Sequence, residues 1–183
     1  MLDFVRISYR NKKGCPTEIY PTFVINNKSE DLMIRGGDFY AVWMEDRGLW
    51  STDESDAIQL IDNELDNYVK EHQASFDGNY KIMYMWDSES GSIDRWHKYC
   101  QKQMRDSFHM LDEKLIFSNT KVKKKDYASK KLNYPLEEGS IESYEKLIST
   151  LYSPEERHKI EWAIGSIVSG DSKKIQKFMV LYG

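Results

Sequence analysis

Ser153-Pro-Glu-Glu-Arg-His-Lys-Ile-Glu-Trp-Ala-Ile-Gly-Ser-Ile-Val-Ser-Gly-Asp-Ser-Lys-Lys-Ile-Gln-Lys-Phe-Met-Val-Leu-Tyr-Gly183 is the stretch on which the reading of the fold turns. Ser153 has the chemistry of an N-cap, Pro154 fits the first helical position, and Glu156 stands where a capping box needs its carboxylate. Ile160, Ala163, Ile164, Ile167 and Val168 recur at helical spacing, and Gly170 supplies the stop. After a short polar turn, the continuous apolar run from Phe178 to Tyr182 reads as a strand buried on both faces. Just upstream, Ser140 is placed to cap a helix lined by Ile141, Tyr144, Leu147, Ile148 and Leu151, so an antiparallel helical hairpin is expected.

A buried strand that runs into a glycine is how a phosphate-binding loop begins, because the turn must wrap backbone N–H groups around phosphates. The terminal stretch resembles the lead-in to the nucleotide-binding fold of phage and poxvirus-type primase–helicases, the superfamily 3 helicases of the AAA+ class. The resemblance is carried by Pro154, Glu155, Glu156, Arg157, Trp162, Gly165, Ser169, Gly170, Asp171, Gln176, Lys177, Phe178, Leu181, Tyr182 and Gly183, in that order. It covers the last third of the chain and, more loosely, an aromatic hairpin near residue 45. It implies an accessory or collar region that brings subunits together ahead of an ATP-driven DNA replication helicase. The Walker A lysine, Walker B carboxylates and arginine finger of that family have no counterpart here. The resemblance therefore implies no ATP hydrolysis by this chain, with ATP and Mg²⁺ expected only in a full-length parent. A stand-alone phage adaptor or inhibitor that binds a helicase or a host factor is the alternative.

Composition fits a globular chain: of 183 residues, 40% are hydrophobic and 13% aromatic, enough to bury a core. No apolar run is long enough to span a bilayer and no signal segment opens the sequence, so no membrane partner and a cytoplasmic location (the host's, if phage-encoded) are expected. Cys15 and Cys100 are far apart, and His72, His97, His109 and His158 form no metal-ligand spacing, so neither a metal site nor a catalytic residue is expected.

Net charge is −4 but unevenly distributed. Residues 1–94 hold nine Lys/Arg against eighteen Asp/Glu, residues 95–131 eleven against four, and residues 132–183 six against eight. The basic middle is either an electrostatic footprint for phosphate backbones or a solvated face and linker. Its candidate DNA-contacting residues are Arg95, Lys98, Lys102, Arg105, Lys121, Lys123, Lys124, Lys125, Tyr127, Lys130 and Lys131. Basic residues interleaved with aromatics suit a phosphate track with occasional base stacking.

Toward the N-terminus the pattern predicts strands over 2–9, 18–25 and 32–35, with Pro21 marking an edge or irregular pairing. Residues 39–43 and 49–51 read as a hairpin whose Trp43 and Trp50 either pack its core or stack on a base. Ser51-Thr-Asp-Glu54 reads as a capping box for a helix reaching residue 72. Ile58, Ile61, Leu65 and Tyr68 face inward there, and Asp56, Asp62, Glu64 and Asp66 form a solvated acidic face. Residues 80–86 are a strand or an apolar helical segment. Trp96, Cys100, Met104, Phe108, Leu111 and Leu115 predict one long helix over 93–117, capped by Ser92. The expected class is α+β: a small β-rich N-terminal part with one amphipathic helix, then a mainly helical C-terminal part ending in one strand. The expected divisions are a β-rich accessory domain at 1–91, a basic helix and linker at 92–137, and a helical lead-in at 138–183. Self-association through the helical part, or contact with the remainder of a helicase, is the expected protein partnership.

Overall fold

Two small sheets and one long helix build the N-terminal half, and helices dominate the rest, so the class is α+β. The computed structural model describes residues 2–24, 29–76, 78–103, 107–177 and 179–180. The chain forms two units, Met1–His109 and Met110–Gly183.

In the first unit, β1 (Val5–Arg10) pairs antiparallel with β2 (Thr17–Phe23), and β6 (Tyr80–Ile82) joins the other side of β2 in parallel. The phase of the ladder explains Pro21. Thr17 donates to the Asn79 carbonyl and Ile19 accepts from Met83, so odd-numbered residues of β2 turn their backbone groups toward β6. Pro21 shares that phase but lies past the last paired residue, Ile19, so its missing N–H breaks no hydrogen bond. The second sheet runs β3 (Leu32–Arg35), β4 (Asp38–Met44), β5 (Leu49–Ser51), all antiparallel. Trp43 and Trp50 face each other across the β4–β5 pair, ring centroids 5.7 Å apart, and both are buried. They are hairpin core, with no ring face left for a base.

Helix α1 (Glu54–His72) is shared by both sheets. Ala57, Ile58 and Ile61 enter a core with Phe4, Leu32, Ile34, Val42, Met85, Trp96 and Cys100, whereas Leu65 and Val69 pack on Ile19 and Phe76 beneath the first sheet. Its N-cap is Asp53, whose Oδ1 accepts from the Ser55 N–H at 2.9 Å. Ser51, the expected cap, completes β5 instead, and its Oγ donates to Asp56 Oδ2 at 2.6 Å. Asp62 is a second correction to the acidic face: it is buried and accepts from the Met85 N–H at 2.8 Å. Residue 62 lies four past Ile58 and thus inside the inward stripe.

Helix α2 (Ser92–Lys102) is less than half the length expected. Gly91, left-handed at φ 61°, takes the N-cap position assigned to Ser92. Beyond the helix, Ser107 bonds both ways with Ile34 at the edge of β3, and Phe108 lies under Arg35 and against Tyr40. Sheet pairing and an aromatic contact at that edge outweigh the local helical period.

The second unit contains α3 (Glu142–Leu151), α4 (Pro154–Ser169) and the short α5 (Ser172–Ile175). The capping box on α4 forms as expected: Ser153 Oγ accepts from the Glu156 N–H, and Glu156 Oε2 accepts from the Ser153 N–H at 2.8 Å. Gly170 ends the helix in the left-handed region at φ 81°. Arg157 ties α3 to α4, meeting Glu145 at 2.6 Å and Glu161 at 2.7 Å.

The terminal strand is not seen. Met179 and Val180 have no strand pairing and are exposed, while Phe178, Leu181, Tyr182 and Gly183 lie outside the described residues. A strand buried on both faces needs neighbours, and no described strand belongs to this unit.

Candidate nucleic-acid interface

The basic residues expected to contact DNA fall in both units. Arg95, Lys98 and Lys102 stand on α2 at i, i+3 and i+7, so they form one exposed strip outside the buried Trp96, Tyr99 and Cys100. Arg105 lies outside the described residues. Arg95 is partly committed: one guanidinium nitrogen donates to the Ser90 carbonyl at 3.1 Å and the other to Ser92 Oγ at 2.8 Å. It also lines a small pocket of about 150 Å³ with Arg10, Glu18, Tyr20, Met83 and Ser90. Arg10 and Tyr20 were not among the candidates, since only the tertiary fold brings β1 and β2 to the start of α2. Within that pocket Arg10 is already paired with Glu18, whose carboxyl it holds below the usual range.

Lys121, Lys123, Lys124, Lys125, Tyr127, Lys130 and Lys131 belong to the second unit, on irregular backbone around a 3-10 turn at Lys124–Asp126. Two carboxylates organise this loop. Asp126 accepts from Lys114 Nζ at 2.9 Å and from the Lys123 N–H at 2.8 Å, and these contacts hold its carboxyl below the ordinary range. Asp112 accepts from the Ser129 N–H at 2.7 Å and from its Oγ at 2.6 Å, with Lys130 Nζ at 4.0 Å. The Asp112 N–H donates to the Tyr127 carbonyl at 2.9 Å, and both residues adopt left-handed backbone. Tyr127 is half-buried. Lys121, Lys125 and Lys131 form no ion pair with a described carboxylate, so their charges are available to a polyanion. The loop is a fixed turn with outward ammonium groups, chemically suited to phosphate contact without base readout.

A second cleft, about 390 Å³, is lined by Asp38, Phe39, Glu54, His97, Cys100 and Gln101. His97 Nε2 is 3.5 Å from Glu54 Oε1. The Cys100 thiol is pushed up to about 12, first by burial and then by Glu54 and Asp38, so it is held as a neutral thiol rather than a nucleophilic thiolate. Among the described residues no group of three or more His, Cys, Asp and Glu is arranged to hold a metal, and no helix is long and apolar enough to cross a membrane.

Compared with known proteins, the chain matches no family model, no curated protein and no solved structure.

Proposed function

We propose that this chain is a non-catalytic accessory region of a superfamily 3-type DNA replication helicase, in which the α3–α4 pair joins subunits and the lysine loop contacts DNA. One observation carries the reading. Of the apolar residues expected to be buried on α3 and α4, only Ile148 is. Ile141, Leu147, Leu151, Trp162, Ile164 and Ile167 are each more than half exposed. Apolar exposure on this scale, on two adjoining helices, is the signature of a protein–protein surface. The residue pattern of α4 ties that surface to the helicase resemblance.

The test is the mass of the chain in solution by light scattering across a concentration series. A concentration-dependent oligomer that Leu147→Glu with Ile167→Glu returns to monomer supports subunit assembly. A monomer at every concentration, with no co-elution with a full-length helicase motor, overturns the reading. A monomer that does co-elute with such a motor favours the adaptor alternative instead.

A further inference from the structure

The cleft of about 390 Å³ beside α2 is built from three elements and contains none of the candidate DNA contacts. Asp38 and Phe39 enter it from the start of β4, and Glu54 from the first position of α1. His97, Cys100 and Gln101 enter from one face of α2, at i, i+3 and i+4. Each wall is fixed to the next. Trp96 Nε1 donates to Glu54 Oε1 at 2.7 Å, which ties α2 to α1. Gly37, left-handed at φ 82°, brings the β3–β4 turn so close to α2 that a Cβ there would lie 3.4 Å from Gln101 Cα. The Phe39 ring is anchored against Trp96, centroids 6.4 Å apart. The volume falls within the range of small-molecule sites.

Its charge has one sign. No lysine or arginine lines it. Asp38 is exposed, and its carboxylate forms no ion pair or hydrogen bond with a described residue. Glu54 Oε1 takes the neutral Trp96 N–H and lies 3.5 Å from His97 Nε2, but Oε2 has no partner among the described residues. With His97 neutral the cleft carries two negative charges, and with His97 protonated it still carries one. Cys100 is an observation independent of that sum. It is only 2% exposed and lines the cleft, yet its thiol has no hydrogen-bond partner among the described residues. After burial, Glu54 and Asp38 are what push that thiol up, so both carboxylates converge on it. Among the described residues no three such groups are arranged to hold a metal, and Phe39 adds an aromatic wall, so the complement is an organic cation.

We propose that this cleft binds a small organic ligand through a primary ammonium or guanidinium head. The head donates charge-assisted hydrogen bonds to the Asp38 carboxylate and to Glu54 Oε2, and lies against the Phe39 ring. Cys100 Sγ is a weak acceptor at the floor. The site lies wholly within the first unit and uses none of the residues on which the helicase reading rests, so it stands or falls separately.

The experiment titrates the full chain with benzylammonium, and with benzyl alcohol as its neutral isostere, followed by NMR of the backbone amides. Benzylammonium should shift the amides of Asp38, Phe39, His97 and Gln101 saturably and show nuclear Overhauser contacts to the Phe39 ring. The alcohol should bind about tenfold or more weakly, because it lacks the charge. Asp38→Asn should weaken benzylammonium by about tenfold or more, and so should Glu54→Gln, which keeps an acceptor for Trp96. An unchanged circular dichroism spectrum is the folding control for both. A capped Gly-Lys-Gly peptide that binds as tightly as the free amine assigns the head group to a lysine side chain, and one that binds more weakly assigns it to a free small molecule; either supports the site. Absence of shifts at those four amides, equal binding of the alcohol, full affinity in folded Asp38→Asn, or Zn²⁺ shifting the same amides where benzylammonium does not would each overturn the proposal.

Discussion

Trp96 Nε1 donates to Glu54 Oε1 across 2.7 Å, fastening the middle of α2 to the first residue of α1. The indole is fully buried and sits among the rings of Phe4, Phe23, Phe39 and Tyr99. Trp96→Ala should destabilise the first unit by about 3–5 kcal/mol through the cavity it leaves. Trp96→Phe keeps most of the apolar volume but removes the donor, and should cost less than half as much. Urea unfolding of the two variants against the parent separates packing from hydrogen bonding; equal destabilisation would mean that the bond to Glu54 dominates.

Asp62 gives a pH signature. Burial pushes its carboxyl above the ordinary range, the bond from Met85 restrains that rise, and neighbouring Asp66 adds to it. The folded chain thus holds this proton more tightly than the unfolded one, so its contribution favours folding in acid and declines as pH rises toward the folded value. Asp62→Asn retains an acceptor for Met85 without the charge. Its melting temperature relative to the parent should be more favourable near neutrality than at about pH 3.5, below the unfolded carboxylate value. Asp62→Ala orphans the Met85 N–H and should cost about 1–3 kcal/mol in acid, and less as pH rises and the parent loses its own carboxyl contribution.

Gly170 is a point of close approach as well as a helix stop. A Cβ at this position would lie 2.6 Å from the Glu113 carbonyl oxygen and 2.8 Å from its carbon, with φ already at +81°. Gly170→Ala should therefore cost more than the about 1–2 kcal/mol of a left-handed alanine alone, because backbone must move. Thermal unfolding should show the destabilisation in the second unit; an effect no larger than that of Gly165→Ala, where a Cβ meets open space, would refute this account.

The lysine loop predicts a salt-dependent affinity for single-stranded DNA. Lys123→Ala, Lys124→Ala and Lys125→Ala together should lower the slope of log affinity against log salt by about 0.7 for each ammonium group withdrawn from a phosphate. Fluorescence anisotropy at several salt concentrations measures it. Absent or salt-insensitive binding by the parent would leave the loop as a connector.

Where local chemistry decides the structure, the sequence is transparent. The Ser153–Glu156 capping box, the left-handed Gly170 and the Trp43–Trp50 hairpin need only neighbours a few residues away. The long helix expected past Lys102 fails because the winning contacts are remote: Ser107 pairs with Ile34, and Phe108 finds Arg35 and Tyr40, while Met104 lies outside the described residues. Asp62 was legible from its spacing to Ile58, but its acidic character pointed to solvent, and the compensating Met85 N–H comes from a distant turn. The candidate DNA contacts were readable as charge. Their division between an α2 strip and a loop pinned by Asp112 and Asp126 depended on tertiary structure.

Pro21 guards one stretch of the first sheet, the part of β2 that β6 does not reach. On the flank that β6 leaves uncovered past Ile19, an intruding chain would meet a ring nitrogen with nothing to donate, so growth there is discouraged. The outer flank of β1 carries no such guard. Tyr9→Pro would place an imino acid on that flank without breaking a bond to β2, and Pro21→Val would lift the existing block beside β6.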